Sequence, residues 1–228
     1  MRRVRWFEAA WPFSMRTLAS HLKEYTFLPE SDDGFILHRA RDRAIEGAYF
    51  ERVSLDEVVR DPFGNEKTFQ HIVYRDVEFL FSSDYPHVEL RKFPRTIHAF
   101  LSRVSEAAEF RVAFVPLRID VFDWAKRVQR AYPQRFRLDL AQLSDLFLED
   151  TVSARVVISG SDDIRAAYQR FAGSRKHIVD RIQVRFEHDG RVFAVQLSSD
   201  ATMRSADEMP AAMLQNLRAA LPGSVPAT

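Results

Sequence analysis

From Arg111 to Ser198 the chain alternates strand-like and helix-like periodicity in the order β-α-β-β-α-β-β, and this run limits the available folds most tightly. Val112–Ile119 is largely apolar, with Pro116 favouring an edge or a bulge. Asp120 is placed to cap a helix that turns Trp124, Ala125 and Val128 inward and ends at Pro133. Strands are expected at Arg135–Leu140 and Val152–Ser159, with a short helical turn over Leu143–Leu148 between them. Ser161 is expected to cap a second helix carrying Ile164, Ala167, Tyr168 and Phe171. The last hairpin has the clearest local pattern: Ile182, Val184 and Phe186 alternate with Arg181, Gln183 and Arg185. Asp189-Gly190 supplies its turn, and Phe193, Val195 and Leu197 continue the period. This order predicts an α+β fold, a predominantly antiparallel sheet with packed helices. Its second half would be a ferredoxin-like split β-α-β unit with an added C-terminal strand and helix.

The preceding residues are strand-rich. Phe35–Arg39 and Ile45–Val53 read as strands, and Leu55–Val59 as an irregular strand or one helical turn. Asp61-Pro62-Phe63-Gly64-Asn65 has strong turn chemistry. In the strand that follows, Phe69, Val73, Val77, Phe79 and Phe81 share one face with His71 and Arg75, while Asp76 and Glu78 take the other. Nineteen phenylalanines suit a core whose layers meet through large side chains. A soft boundary near residues 105–110 divides the chain into a strand-rich α+β subdomain, 1–108, and a ferredoxin-like subdomain with a C-terminal helix, 109–228. No Gly/Ser-rich linker separates them, so the two are compatible with one body.

Several chemistries are excluded or disfavoured. With no cysteine, disulfides, thiolate nucleophiles and Cys-ligated zinc are absent, and a cytoplasmic location is the expectation. No 18-residue apolar run is present, and no membrane partner is expected. Neither the Rossmann glycine spacing nor a phosphate-loop Gly-Lys-Ser/Thr ending occurs, and no cofactor is predicted. The seven histidines show no His-Glu-x-x-His spacing, and the serines lack a Gly-x-Ser-x-Gly elbow. The nearest acidic grouping is Asp76, Glu78, Asp84 and Glu89, from which Asp84 and Glu89 are the candidate metal ligands of a metal-dependent phosphodiesterase or nuclease. Lys92, three residues beyond Glu89, would point to the opposite face of a strand, which weakens a shared site.

The net charge of +1 names no partner, but all of the 33 basic residues except Lys23, Lys67, Lys92, Lys126 and Lys176 are arginine. Lys126, Arg127 and Arg130 share a helix exterior, Arg135 and Arg137 follow, Arg181 and Arg185 share a strand face, and Arg191 begins its hairpin partner. These eight form a candidate RNA- or DNA-binding surface, although an RRM-like pair of stacking aromatics is missing. The C-terminal apolar stripe, Met209, Met213, Leu214, Leu217 and Leu221, must be buried on the body or on another chain. Weak signals for chemistry, together with this stripe and many surface-capable aromatic and arginine residues, predict a non-catalytic interaction or assembly component of a cellular complex. Its partner would be another protein or a second copy of the chain. Nucleic-acid binding is the alternative, and the metal-dependent hydrolase comes third.

Overall fold

The computed structural model describes residues 2–149 and 151–224. In chain order the elements are β1 (Arg2–Ala10), α1 (Met15–Glu24), β2 (Asp33–Arg41), β3 (Ala44–Arg60), β4 (Glu66–Ser82), β5 (Val88–Lys92) and α2 (His98–Ala107). There follow β6 (Ala113–Pro116), α3 (Val121–Ala131), β7 (Arg137–Glu149), β8 (Val152–Ser159), α4 (Arg165–Ala172), β9 (Ile178–His188), β10 (Arg191–Ser198), β11 (Thr202–Ser205) and α5 (Ala211–Ala219). The fold is α+β with a mostly antiparallel sheet and several packed helices. No helix among the described residues is long and apolar enough to cross a membrane.

Two compact units are present. One is continuous, Glu8–Phe114; the other joins Met1–Phe7 to Val115–Thr228. The division near 114/115 lies a few residues beyond the sequence boundary. The transfer of the first residues to the second unit has a direct cause: Arg2–Arg5 pair antiparallel with Ser205–Thr202.

In the continuous unit the strand order is β2-β3-β4-β5, all antiparallel. One face of this sheet is covered by α1 and α2. Met15, Leu18 and Leu22 of α1 and Phe100 and Val104 of α2 are buried with Phe35, Tyr49, Val77, Phe79 and Phe81 from the strands. The aromatic rings meet directly: Phe79 stacks on Phe81 at 4.4 Å, and Phe100 lies 5.6 Å from Phe79 and 5.8 Å from Tyr49. Gly47 is opposite Phe79 in the β3–β4 register. A Cβ there would stand 2.6 Å from the Ile36 carbonyl oxygen and 3.1 Å from the Phe79 ring, so the ring's seat needs a bare backbone.

The discontinuous unit has the order β1-β11-β10-β9-β7-β8, with β6 outside this path. Here the split β-α-β expectation is corrected. β7 follows α3 and pairs antiparallel with both β8 and β9, and the place next to β11 is taken by β1. A strand from the far end of the chain can satisfy that edge as well as a local one, and periodicity carries no information about which will do so. Leu143–Leu148 is strand, not a helical turn, and β7 accommodates it with register shifts on both sides of Leu146. α4 also starts later than Ser161 implies: Ile164 precedes it, and the Asp163 carboxylate receives the Arg165 N–H at 2.9 Å. Asp120 does cap α3, accepting from the Phe122 and Asp123 amides. Asp189 and Gly190 turn the β9–β10 hairpin with φ of 49° and 73°.

The unit's core is a single cluster. Trp6 and Trp124 meet edge to face at 5.7 Å, and Trp124 Nε1 donates to the Leu217 carbonyl at 3.1 Å. Met213, Leu214 and Leu217 of α5 are buried in this cluster. The C-terminal stripe is therefore satisfied within its own unit and offers no free docking face.

Candidate interaction surfaces

The candidate interaction feature of the continuous unit is the outer half of its β3–β4 hairpin. β2 accompanies β3 only as far as Glu51, and β5 accompanies β4 only from Glu78. Outward from the rung Val53/Val73 the ribbon has two strands and no third among the described residues. At about 3.3 Å per residue, Val53 to Arg60 extends roughly 26 Å. The sequence reading allowed a helical turn over Leu55–Val59. In the structure β3 runs through it unbroken, because each residue meets a partner on β4.

Both faces of the arm mix apolar and polar groups. The face that continues the buried Tyr49, Phe79 and Phe81 carries Val53/Val73, Leu55/His71, Glu57/Phe69 and Val59/Lys67; the other carries Ser54/Ile72, Asp56/Gln70 and Val58/Thr68. Leu55, Val58, Val59, Phe69 and Ile72 are all exposed, as is Tyr74 at the base. At the tip Phe63 is 91% exposed.

The tip is held by hydrogen bonds. Asp61 Oδ1 accepts the Phe63 and Asn65 N–H groups at 2.8 and 2.9 Å, and Asp61 Oδ2 accepts Asn65 Nδ2 at 2.9 Å. Gly64 takes φ of +89°, which a side chain would resist. Arg60 and Glu66 form an ion pair across the closing rung. The hydrogen bonds from Asn65, side chain and backbone, hold the Asp61 carboxyl below its usual range. A two-stranded ribbon alone is marginal in water. This one is pre-shaped at its end and presents an aromatic ring there.

The basic residues lie on different faces of the discontinuous unit. Lys126, Arg127 and Arg130 are on α3, whose opposite side buries Trp124, Ala125 and Val128 in the core cluster with Ile182, Val184 and Phe186. Arg181 and Arg185 alternate with those β9 residues and therefore point to the other side of the sheet. The structure thus separates Lys126, Arg127 and Arg130 from Arg181 and Arg185 by the thickness of the sheet, while Arg191 shares its strand face with the buried Phe193. Arg127 pairs with Asp123 at 3.1 Å and Arg135 with Glu187 at 3.0 Å. Arg185 pairs with the buried Asp139, which also accepts Gln183 Nε2 at 3.2 Å. Arg137 is opposite Arg185 in the β7–β9 register. Arg191 covers the Phe193 ring at 5.6 Å.

Sequence reading missed the arginines that join Arg181. Arg3 is directly opposite Arg204, and Arg5 opposite Thr202. No local pattern links β1 to β11; the nearest clue is Arg5 between Val4 and Trp6.

The proposed metal ligands do not converge. Asp84 is exposed and pairs with Arg43. Glu89 is 2% exposed and accepts Arg91 Nε at 2.7 Å, while Arg91 also reaches Glu46. No group of three acidic or histidine side chains is placed to hold a metal among the described residues. Lys92 pairs with Asp76 at 2.7 Å.

Several histidines have structural partners. His21 Nδ1 lies 3.1 Å from the Ala107 carbonyl, the Ala9 N–H donates to His87 Nδ1 at 3.3 Å, and His177 Nε2 lies 2.7 Å from the Tyr168 hydroxyl. No family model matches the chain, and no curated protein matches it.

Proposed function

We propose that this chain is a non-catalytic interaction or assembly component that docks through its β3–β4 arm onto another protein or a second copy of itself. The observation that carries the reading is a two-stranded ribbon with exposed apolar side chains on both faces and an ordered aromatic tip. Such a ribbon buries little of its own apolar surface, so a partner that grips both faces would supply the missing burial. Charge favours a protein over a polyanion: Arg52, Arg60 and Lys67 are offset by Asp56, Glu57, Asp61 and Glu66 along the same segment.

The nucleic-acid alternative, with Lys126, Arg127, Arg130, Arg135, Arg137, Arg181, Arg185 and Arg191 as one surface, receives less support because the sheet lies between its two halves. The test is a size measurement by light scattering and sedimentation, with pull-down from the source cell. Both use the intact chain and a variant in which residues 54–72 are replaced by a two-residue turn. Association or capture by the intact chain that is lost with the arm is expected. A strict monomer that captures no partner, or association indifferent to the deletion, would refute the proposal.

A further inference from the structure

We propose that the polar face of the discontinuous unit binds an oxyanion that retains one proton, hydrogen phosphate being the simplest, in the cavity lined by Arg181 and Arg204. The site is independent of the arm and of the reading built on it.

The strand registers assemble the cavity. One row across the sheet runs Arg3, Arg204, Gln196 and Gln183; the adjacent rows hold Arg5 beside Thr202, and Ser198, Arg181 and Gln142 in line. Alternation sends all of these side chains away from the apolar core. The resulting hollow is about 320 Å³ and is lined by Arg181 and Arg204 with Gln142, Gln196, Ser198, Ser199, Thr202, Asp180 and Asp200.

The arrangement crowds positive charge on one face of the sheet. Like charges directly opposite each other across a ladder are destabilising, and Arg3 and Arg204 are such a pair. Burial first, and then the charges of Arg204 and Arg5, hold the Arg3 guanidinium below its ordinary range. The Nε atoms of Arg5 and Arg181 are both buried and have no hydrogen-bond partner among the described residues. Arg181 and Arg204 face Asp180 and Asp200 across the hollow, and with Arg5 beside Asp200 these five side chains keep a charge of about +1, which suits an anion.

The carboxylates set the selectivity. Asp200 lies 3.5 Å from Arg5 and accepts the Thr202 N–H at 3.2 Å. Asp180 accepts Ser144 Oγ at 2.7 Å and Gln142 Nε2 at 3.4 Å. Beside them a fully deprotonated oxyanion is repelled. An anion with an O–H donates it to a carboxylate while its other oxygens accept from arginine. At neutral pH hydrogen phosphate has that proton and sulfate does not. Among the described residues no aromatic side chain lines the hollow, so a single-stranded nucleic acid would find no surface there on which to stack its bases.

The test follows thermal unfolding and titration calorimetry of the full chain with inorganic phosphate, sulfate or chloride at matched ionic strength and neutral pH. Phosphate is expected to stabilise saturably and to bind about tenfold or more tightly than sulfate. R181Q and R204Q should each weaken phosphate about tenfold or more, D180N should narrow the phosphate–sulfate gap, and R127Q on α3 should respond as wild type. No saturable phosphate response, equal responses to phosphate and sulfate, or a response unchanged by R204Q would overturn the site. Tight binding of a single-stranded oligonucleotide without a phosphate response would overturn it too, and would favour a nucleic-acid face. If the arginine variants fail to fold, the wild-type comparison of phosphate with sulfate still decides.

Discussion

Phe69 and Phe79 stand on the same strand and the same face, ten residues apart, yet their truncation should have opposite consequences. Phe79 is 1% exposed and is surrounded by Phe35, Phe81 and Phe100 at centroid distances of 5.9, 4.4 and 5.6 Å. Phe79→Ala removes a fully buried ring and leaves a cavity, so a loss of about 4 kcal/mol is expected. Phe69 is 53% exposed on the arm. The arm can open without unfolding the body, and the most its mutation can take from global stability is the arm's own stability, on the order of 1 kcal/mol for a two-stranded ribbon. Urea unfolding of the dilute monomer, monitored by tryptophan emission, measures both. Association should show the reverse order of sensitivity. Phe69→Ala should weaken a complex by about 2 kcal/mol, near thirtyfold, if the ring is a buried anchor in it. A Phe69→Ala monomer as destabilised as Phe79→Ala would mean the arm is packed on the chain's own body, and the reasoning would fail.

Three further expectations follow from other sites. Gly47→Ala should cost roughly 2 kcal/mol, because the new methyl meets the Ile36 carbonyl and the Phe79 ring; an unchanged urea midpoint would contradict this. Asp61 is held below the usual carboxylate range in the folded turn, so its contribution is present above the unfolded value and is lost as pH falls through the folded one. Amide exchange at Phe63 and Asn65 should therefore lose protection on acidification, after correction for intrinsic rates, and D61A should show no such dependence. Asp139→Ala should destabilise by about 1–3 kcal/mol, since it strips Arg185 and Gln183 of a buried acceptor. An equilibrium unfolding midpoint equal to wild type would speak against that role.

Much of the local structure was legible in the residues. The two-residue period from Phe69 to Phe81, the turn at Asp61–Asn65, the Asp120 cap and the Asp189-Gly190 hairpin each depend on neighbours within a few positions, and each appears as the sequence implies. Features set by distant partners were not legible. Leu55–Val59 lacks a clean alternation, and only its pairing with Lys67–His71 makes it strand. The C-terminal stripe reads alike whether it docks on Trp124 or on another chain. The arginine cluster beside the cavity joins β1 to β11, whose paired residues are about 200 positions apart in sequence. The separation of Arg127 and Arg130 from Arg181 and Arg185 is likewise a property of layering, which a linear pattern does not record.

The pairing of Arg2–Arg5 with Thr202–Ser205 also sets an order of events during synthesis. The β11 partner of Arg2–Arg5 leaves the ribosome only after about 200 further residues, which at roughly 5–20 residues per second is on the order of 10–40 s. Residues 8–114 are contiguous and can close their own core in that interval. The strand that opens the chain waits, with its edge unpaired, for the strand that completes the other unit. Termination after Phe114 but before Thr202 would leave a finished first unit attached to a segment, Arg2–Arg5, that lacks its β11 partner, a species suited to capture by chaperones or by another nascent chain.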